Sequence, residues 1–146
     1  MRISTKGRYA LAAVTAIART AEDSISLAQL SNSLGISKLY LEQVFSLLRK
    51  SGLVASIKGP HGGYRCNSTP SKLTLWEILS SVENGLLDPS EPTVPDSSPD
   101  IEVALNSVVF GPLDEAVRGF LESVTVQDLL NEADSQLSEQ AYMQNM

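Results

Sequence analysis

Cysteine occurs once in this chain, at Cys66, which excludes an internal disulfide and fits a reducing, cytoplasmic setting. Aromatic residues make up only 5%, so the core is expected to be aliphatic. No run approaches the roughly 18 consecutive apolar residues of a membrane span. The start, Ile3-Ser4-Thr5-Lys6, lacks the apolar block of a signal peptide. A nucleophile with its base and orienting partner, a metal-ligand spacing and a glycine-rich phosphate loop opening a helix are all missing, which argues against an enzyme. What remains is a 146-residue chain with 42% hydrophobic residues, enough for one ordinary domain or a small domain with an appendage.

The overall charge of −6 hides an asymmetry. Residues 1–80 carry ten Lys/Arg against four acids, a net of +6, whereas residues 81–146 carry one Lys/Arg against thirteen acids, a net of −12. One half offers a basic surface suited to a polyanion, and the other faces away from it.

Within the basic half, Thr5 to Thr20 forms an Ala-rich helix with Tyr9, Ala13, Ala16 and Ile17 on one side. Ser26-Leu27-Ala28-Gln29 has the form of a capping box and starts a second helix ending near Leu34-Gly35. Ser37 caps a third helix that runs to about Ser51, with Gly52 just past its end. Leu41, Val44, Leu47 and Leu48 recur at helical spacing and face the core, so Lys38, Leu39, Glu42 and Gln43 face outward. Strands follow at Leu53–Ile57 and Tyr64–Asn67, joined by Lys58-Gly59-Pro60-His61-Gly62-Gly63. Two helices across a tight turn and then a basic hairpin are the layout of a winged helix-turn-helix. Thr74-Leu75-Trp76-Glu77 opens another capped helix ending near Glu83, with Trp76 expected in the core.

Residues 85–100 hold four of the seven prolines among Ser and Asp and are expected to form an extended, mobile linker. A broad apolar stripe then runs through Ile101, Leu105, Val108, Val109, Leu113, Ala116, Val117, Phe120 and Leu121. Pro112 should kink this helix or restart it. A stripe this wide needs a partner, and a second copy of the chain would place two recognition helices on a palindromic site. A short helix from Thr125 to about Ala133 and a loose tail over 135–146 complete the reading. The fold class is therefore mainly α. A winged helix-turn-helix domain with a two-stranded wing spans 1–84, a linker 85–100 and a long dimerisation helix lies within 101–134.

Several segments resemble the IscR/CymR-like Rrf2 family of transcription regulators: Ile3 to Ala10, Ile36-Ser37, Tyr40-Leu41-Glu42-Gln43, Leu48 to Val54, Gly59-Pro60 with Gly62-Gly63-Tyr64, and Gly119-Phe120-Leu121. The resemblance covers residues 1 to about 83 and resumes near 119–129. It implies a homodimeric double-stranded-DNA-binding regulator, usually a repressor. Ser37, Lys38, Leu39, Tyr40, Glu42 and Gln43 would lie on the helix that reads base edges, Lys6 and Arg49 would hold phosphates, and Lys58, Gly59, His61, Gly62, Gly63 and Tyr64 would form the wing. Gln43 can pair bidentately with adenine, and Glu42 can accept from cytosine. Glycine in the wing would let backbone approach the sugar-phosphate wall.

Cluster-binding members of the family carry three cysteines and a histidine, and here Ala104 and Ser107 stand where the last two would fall. With Cys66 and His61 alone, no iron–sulphur cofactor is expected. Cys66 reads as an apolar filler and His61 as a wing-tip contact. Similarity to the cysteine-free, CymR-like branch implies control of sulphur metabolism and cysteine synthase as a protein partner, captured through an extended C-terminal peptide. The residues also leave open a winged-helix module whose basic face meets an acidic protein rather than DNA.

Overall fold

A computed structural model of the chain describes residues 3–85 and 87–145. Met1, Arg2, Leu86 and Met146 lie outside the described residues, so Arg2 of the basic half and the last residue of the tail are not placed. The order is α1 (Thr5–Arg19), α2 (Leu27–Leu34), α3 (Lys38–Lys50), β1 (Val54–Ile57), β2 (Gly63–Cys66), a 3₁₀ turn (Pro70–Lys72), α4 (Leu75–Val82), α5 (Pro99–Leu105), a π-helical segment (Asn106–Phe110), α6 (Gly111–Ser123) and α7 (Val126–Gln144).

Local chemistry sets the helix starts. Ser26 and Gln29 exchange side-chain-to-backbone hydrogen bonds at 3.1 and 2.9 Å, satisfying two orphan amides of α2. Thr74 with Glu77 and Thr125 with Asp128 repeat the device at α4 and α7. Between α2 and α3, Gly35 takes φ 68°, and Ile36 drops into the core. The Ser31 hydroxyl fastens that turn by donating to the Ile36 carbonyl at 2.6 Å.

Ala10, Ala13, Val14 and Ile17 of α1 meet Leu30, Leu41, Val44, Phe45 and Leu48 in one aliphatic core. Phe45, absent from the periodic set read in the sequence, is fully buried, whereas Leu47 is half-buried. The wing pairs antiparallel from Val54 with Cys66 to Ile57 with Gly63. Ile25 adds a one-residue bridge to Tyr64, with hydrogen bonds of 2.8 and 3.0 Å.

Two expectations are revised. The linker is hydrogen-bonded to the helices that follow rather than simply extended: Glu102 accepts from the Thr93 and Val94 amides, and Asp114 from the Ser90 amide and hydroxyl. Alternating polar residues without a period gave no hint of these pairings. Second, α7 does not stop at Ala133 with a loose tail over 135–146. It continues to Gln144, through good helix formers such as Gln136, Leu137, Glu139 and Ala141. The C-terminal helices also pack onto the winged domain. Val126 and Leu130 enter the main core, and Thr74 bridges Thr125 through Leu75 N–H to Val124 and Val126 N–H to Leu73.

At Pro112 the second of the two expected outcomes holds: a new α-helical stretch, α6, starts there with Pro112 in its first turn. Proline lacks an amide and crowds the carbonyl four residues back. The helix widens over Asn106–Phe110, where the Gly111 amide reaches back to the Asn106 carbonyl, and Pro112 then falls in the first turn of α6. Among the described residues, no helix is long and apolar enough to cross a membrane.

Candidate nucleic-acid interface

The outer face of α3 is open to solvent. Ser37 stands at its tip, with its hydroxyl oxygen accepting from the Tyr40 amide at 3.1 Å. Lys38, Glu42 and Gln43 are exposed, and Leu39 is 68% exposed although apolar. Such a residue at the front of a helix suits contact with a thymine methyl. Lys6, in the first turn of α1, shares a cleft with Leu39, Glu42 and Gln43. On the other side, Glu42, Ser46, Arg49, Lys50 and Tyr64 line a second cleft that leads to the wing. Glu42 therefore lies between Lys6 on one flank and Arg49 and Lys50 on the other, which offsets the repulsion a carboxylate would feel beside phosphates.

Not every residue expected at the interface presents its side chain. Tyr40 is half-buried, edge-on to Tyr9 with ring centroids 5.0 Å apart. Tyr64 tilts onto Phe45 at 4.7 Å, beneath α3. Both rings hold the recognition helix in place, because aromatic pairs gain from edge and tilted contact. Lys58, Gly59 and His61 form the exposed tip. The His61 carbonyl accepts from the buried Ser24 hydroxyl at 2.9 Å, a tether that the sequence did not reveal.

The wing glycines have a further requirement inside the chain. A Cβ at Gly63 would land on the Ile25 carbonyl, and one at Gly62 on the Ile57 carbonyl. These glycines are required by the wing's packing against its own chain, before any contact with DNA.

A second unforeseen element positions Lys6. Glu83, just beyond α4, accepts from both the amide and the hydroxyl of Ser4 at 3.0 and 2.7 Å. Ser4 in turn caps α1 through the Gly7 amide. Gly7 has no side chain because the Glu83 carboxylate occupies that space. Only the pairing of residues 79 apart could show this.

On the stripe expected at a dimer contact, Ile101, Val108, Val109, Leu113, Ala116 and Phe120 are exposed, and Leu105 is half-exposed. Leu121 is an exception at 6% exposed: it packs inside its own protomer against Leu75 and Leu79, with Val117 beside it. Its spacing put it on the stripe, but the stripe is wide enough to touch two surfaces.

Comparison with known proteins decides what this surface belongs to. A family model described as "Rrf2: Iron-dependent Transcriptional regulator" matches residues 3–132. The chain belongs to the Rrf2 family. It is 36% identical over 135 residues to the HTH-type transcriptional regulator IscR of Serratia proteamaculans, a match covering 92% of this chain and 82% of that one. The structure of CymR, the global cysteine regulator of B. subtilis, superposes with a TM-score of 0.74 at 34% identity, covering 90% of this chain and 98% of that one. IscR of T. potens gives 0.71 at 28% identity, with coverages of 91% and 88%. As an Rrf2 protein the chain is a DNA-binding transcription regulator of the winged-helix type, and its relatives are regulators rather than enzymes.

Within this Rrf2 regulator, Cys66 pairs with Val54 on the wing, where burial pushes its thiol up to about 11. It is protonated at neutral pH, and among the described residues no group of three or more His, Cys, Asp or Glu could hold a metal ion.

Proposed function

We propose that two copies of this chain bind a palindromic operator, each laying α3 in a major groove and its wing alongside, and repress the promoter they occupy. Ser37, Lys38, Leu39, Glu42 and Gln43 read base edges. Lys6, Arg49, Lys58 and His61 hold the backbone, while Tyr40 and Tyr64 act through packing. The observation carrying this reading is the open front of α3 flanked by Lys6 on one side and by Arg49 and Lys50 on the other. Exposed apolar residues of α5 and α6 supply the contact between copies, since contiguous apolar surface of this kind marks an interaction site.

Regulation proceeds without an iron–sulphur cluster in the protomer. Such clusters need several thiolates. This chain has one thiol, protonated and placed on the wing, and by its resemblance to cluster-binding members Ala104 and Ser107 stand where two further donors would fall. The residues do not fit the group. Control of sulphur metabolism is supported by the similarity to the global cysteine regulator. A cysteine synthase partner held through an extended C-terminal peptide has no such support, because residues up to Gln144 are helical.

Binding of labelled promoter fragments across a salt series tests the reading. The negative log–log slope should steepen by about 0.9 for each phosphate neutralised, and scrambled DNA should bind more weakly. Absence of binding at low salt, or equal affinity for scrambled sequence, would refute it. Lys38→Glu and Lys58→Glu should abolish DNA binding. If they leave promoter binding intact but release an acidic protein partner, the basic face is a protein-interaction surface instead.

A further inference from the structure

Trp76 packs at the edge of the cluster of Leu75, Leu79 and Leu121 rather than wholly inside it. It is half-buried, and its ring forms part of the wall of a cavity of about 260 Å³ between α4, the start of the linker and α6. Leu87, Leu113 and Val117 supply apolar walls. The Arg118 guanidinium lies over the indole, 4.5 Å from the ring centroid. The acidic residues Asp88, Asp114 and Glu115 also line the space. Asp114 is committed to Ser90, and Arg118 is shared with Glu122 at 2.9 Å.

From this arrangement we propose a binding site for a small organic cation with a hydrocarbon body, such as a primary amine. An indole face attracts cations through its quadrupole, most strongly when water is excluded. The cavity already holds one: Arg118 sits where a ligand's ammonium would be favoured. Its hold is weak, because it is 61% exposed and its ion pair is a surface one four residues along the same helix. A ligand amine can therefore displace Arg118 and take its place on the ring. Three carboxylates against one arginine set the sign of the site and disfavour an anion. The volume lies below the roughly 300–1,000 Å³ of drug-sized pockets, so the occupant is small.

The cavity is well placed to influence DNA binding. Trp76 lies near the start of α4, and Glu83, just past its end, fastens Ser4 beside Lys6. Leu113 belongs both to the cavity and to the stripe proposed to meet a second copy. A role as effector site rests on the DNA-binding reading, but occupancy itself can be measured without DNA.

Trp76 is the sole tryptophan, so intrinsic fluorescence of the full chain reports the site directly. Hexylamine, hexanol and hexanoate, three probes of one length, are titrated separately. Hexylamine should give saturable quenching, at least about tenfold tighter than hexanol, with no saturation by hexanoate. Asp88→Asn combined with Glu115→Gln should weaken the amine at least about tenfold. Arg118→Gln should tighten it, a gain that a damaged fold cannot produce. Equal affinity for the three probes, no saturation by any, or weaker amine binding by Arg118→Gln would each overturn the proposal.

Discussion

Replacing Gln43 by alanine separates sequence reading from electrostatic grip. Gln43 is exposed on the front of α3, and alanine favours helix, so the fold should be unaffected. A bidentate amide–adenine pair is worth about 1–3 kcal/mol of discrimination. Two protomers on a palindrome lose it twice, about 2–6 kcal/mol, which is roughly 30-fold to 10⁴-fold in affinity for the operator. Non-specific affinity and the salt slope should be unchanged, because no phosphate contact is removed. Lys58→Ala makes the opposite prediction. It removes an exposed cation from the wing of each protomer, so the slope for the dimer should fall by about 1.8 while operator and scrambled DNA weaken together. Fluorescence anisotropy with operator and scrambled duplexes at several salt concentrations measures both quantities. If Gln43→Ala weakens both duplexes by one factor, α3 does not read bases through this residue. If Lys58→Ala leaves the slope unaltered, the wing does not touch phosphate.

Three further outcomes follow from the geometry. Val108→Asp, at a residue 75% exposed, should leave the fold intact and shift sedimentation toward monomer, whereas Leu121→Asp buries an unpaired charge and should unfold the protomer; equal behaviour of the two would contradict the assignment of Leu121 to the internal core. Gly63→Ala drives a methyl into the Ile25 carbonyl and should cost about 1–3 kcal/mol in denaturant unfolding, with a null result refuting the close approach of wing and loop. Cys66, with its thiol raised to about 11 by burial, should alkylate about a hundredfold more slowly at pH 8 than a thiol near 9. Because the raised value favours the neutral form in the folded protein, the stability it confers is full below about pH 9 and is lost as pH rises toward 11. A labelling rate that levels off below pH 9 would show that burial is not protecting the thiol.

Much of the winged helix was legible because its signals are local. A capping box involves residues three apart, and a turn glycine declares its own backbone need. Helix periodicity therefore located α2, α3 and α4, and the exposed polar face of α3 followed from its apolar one. The chain also determined its charge division and its shortage of soft metal donors, since both are matters of composition.

Tertiary structure alone decided the rest, because contacts between distant residues leave no spacing to read. Phe45 could be placed beneath Tyr64 only once the wing had folded back. The same holds for Gly7 and Glu83, whose pairing explains a missing side chain in one by a carboxylate in the other. Leu121 and Val108 share a stripe by period, yet one is buried and the other bare, since a helix face wider than its neighbour must be divided by the packing. Trp76 drew the same reading as any buried aromatic until α6 brought Arg118 across its ring. Helix propensity by itself was too weak to settle α7, where capping at Thr125 and the anchoring of Val126 and Leu130 in the core supply the nucleus that isolated residues cannot.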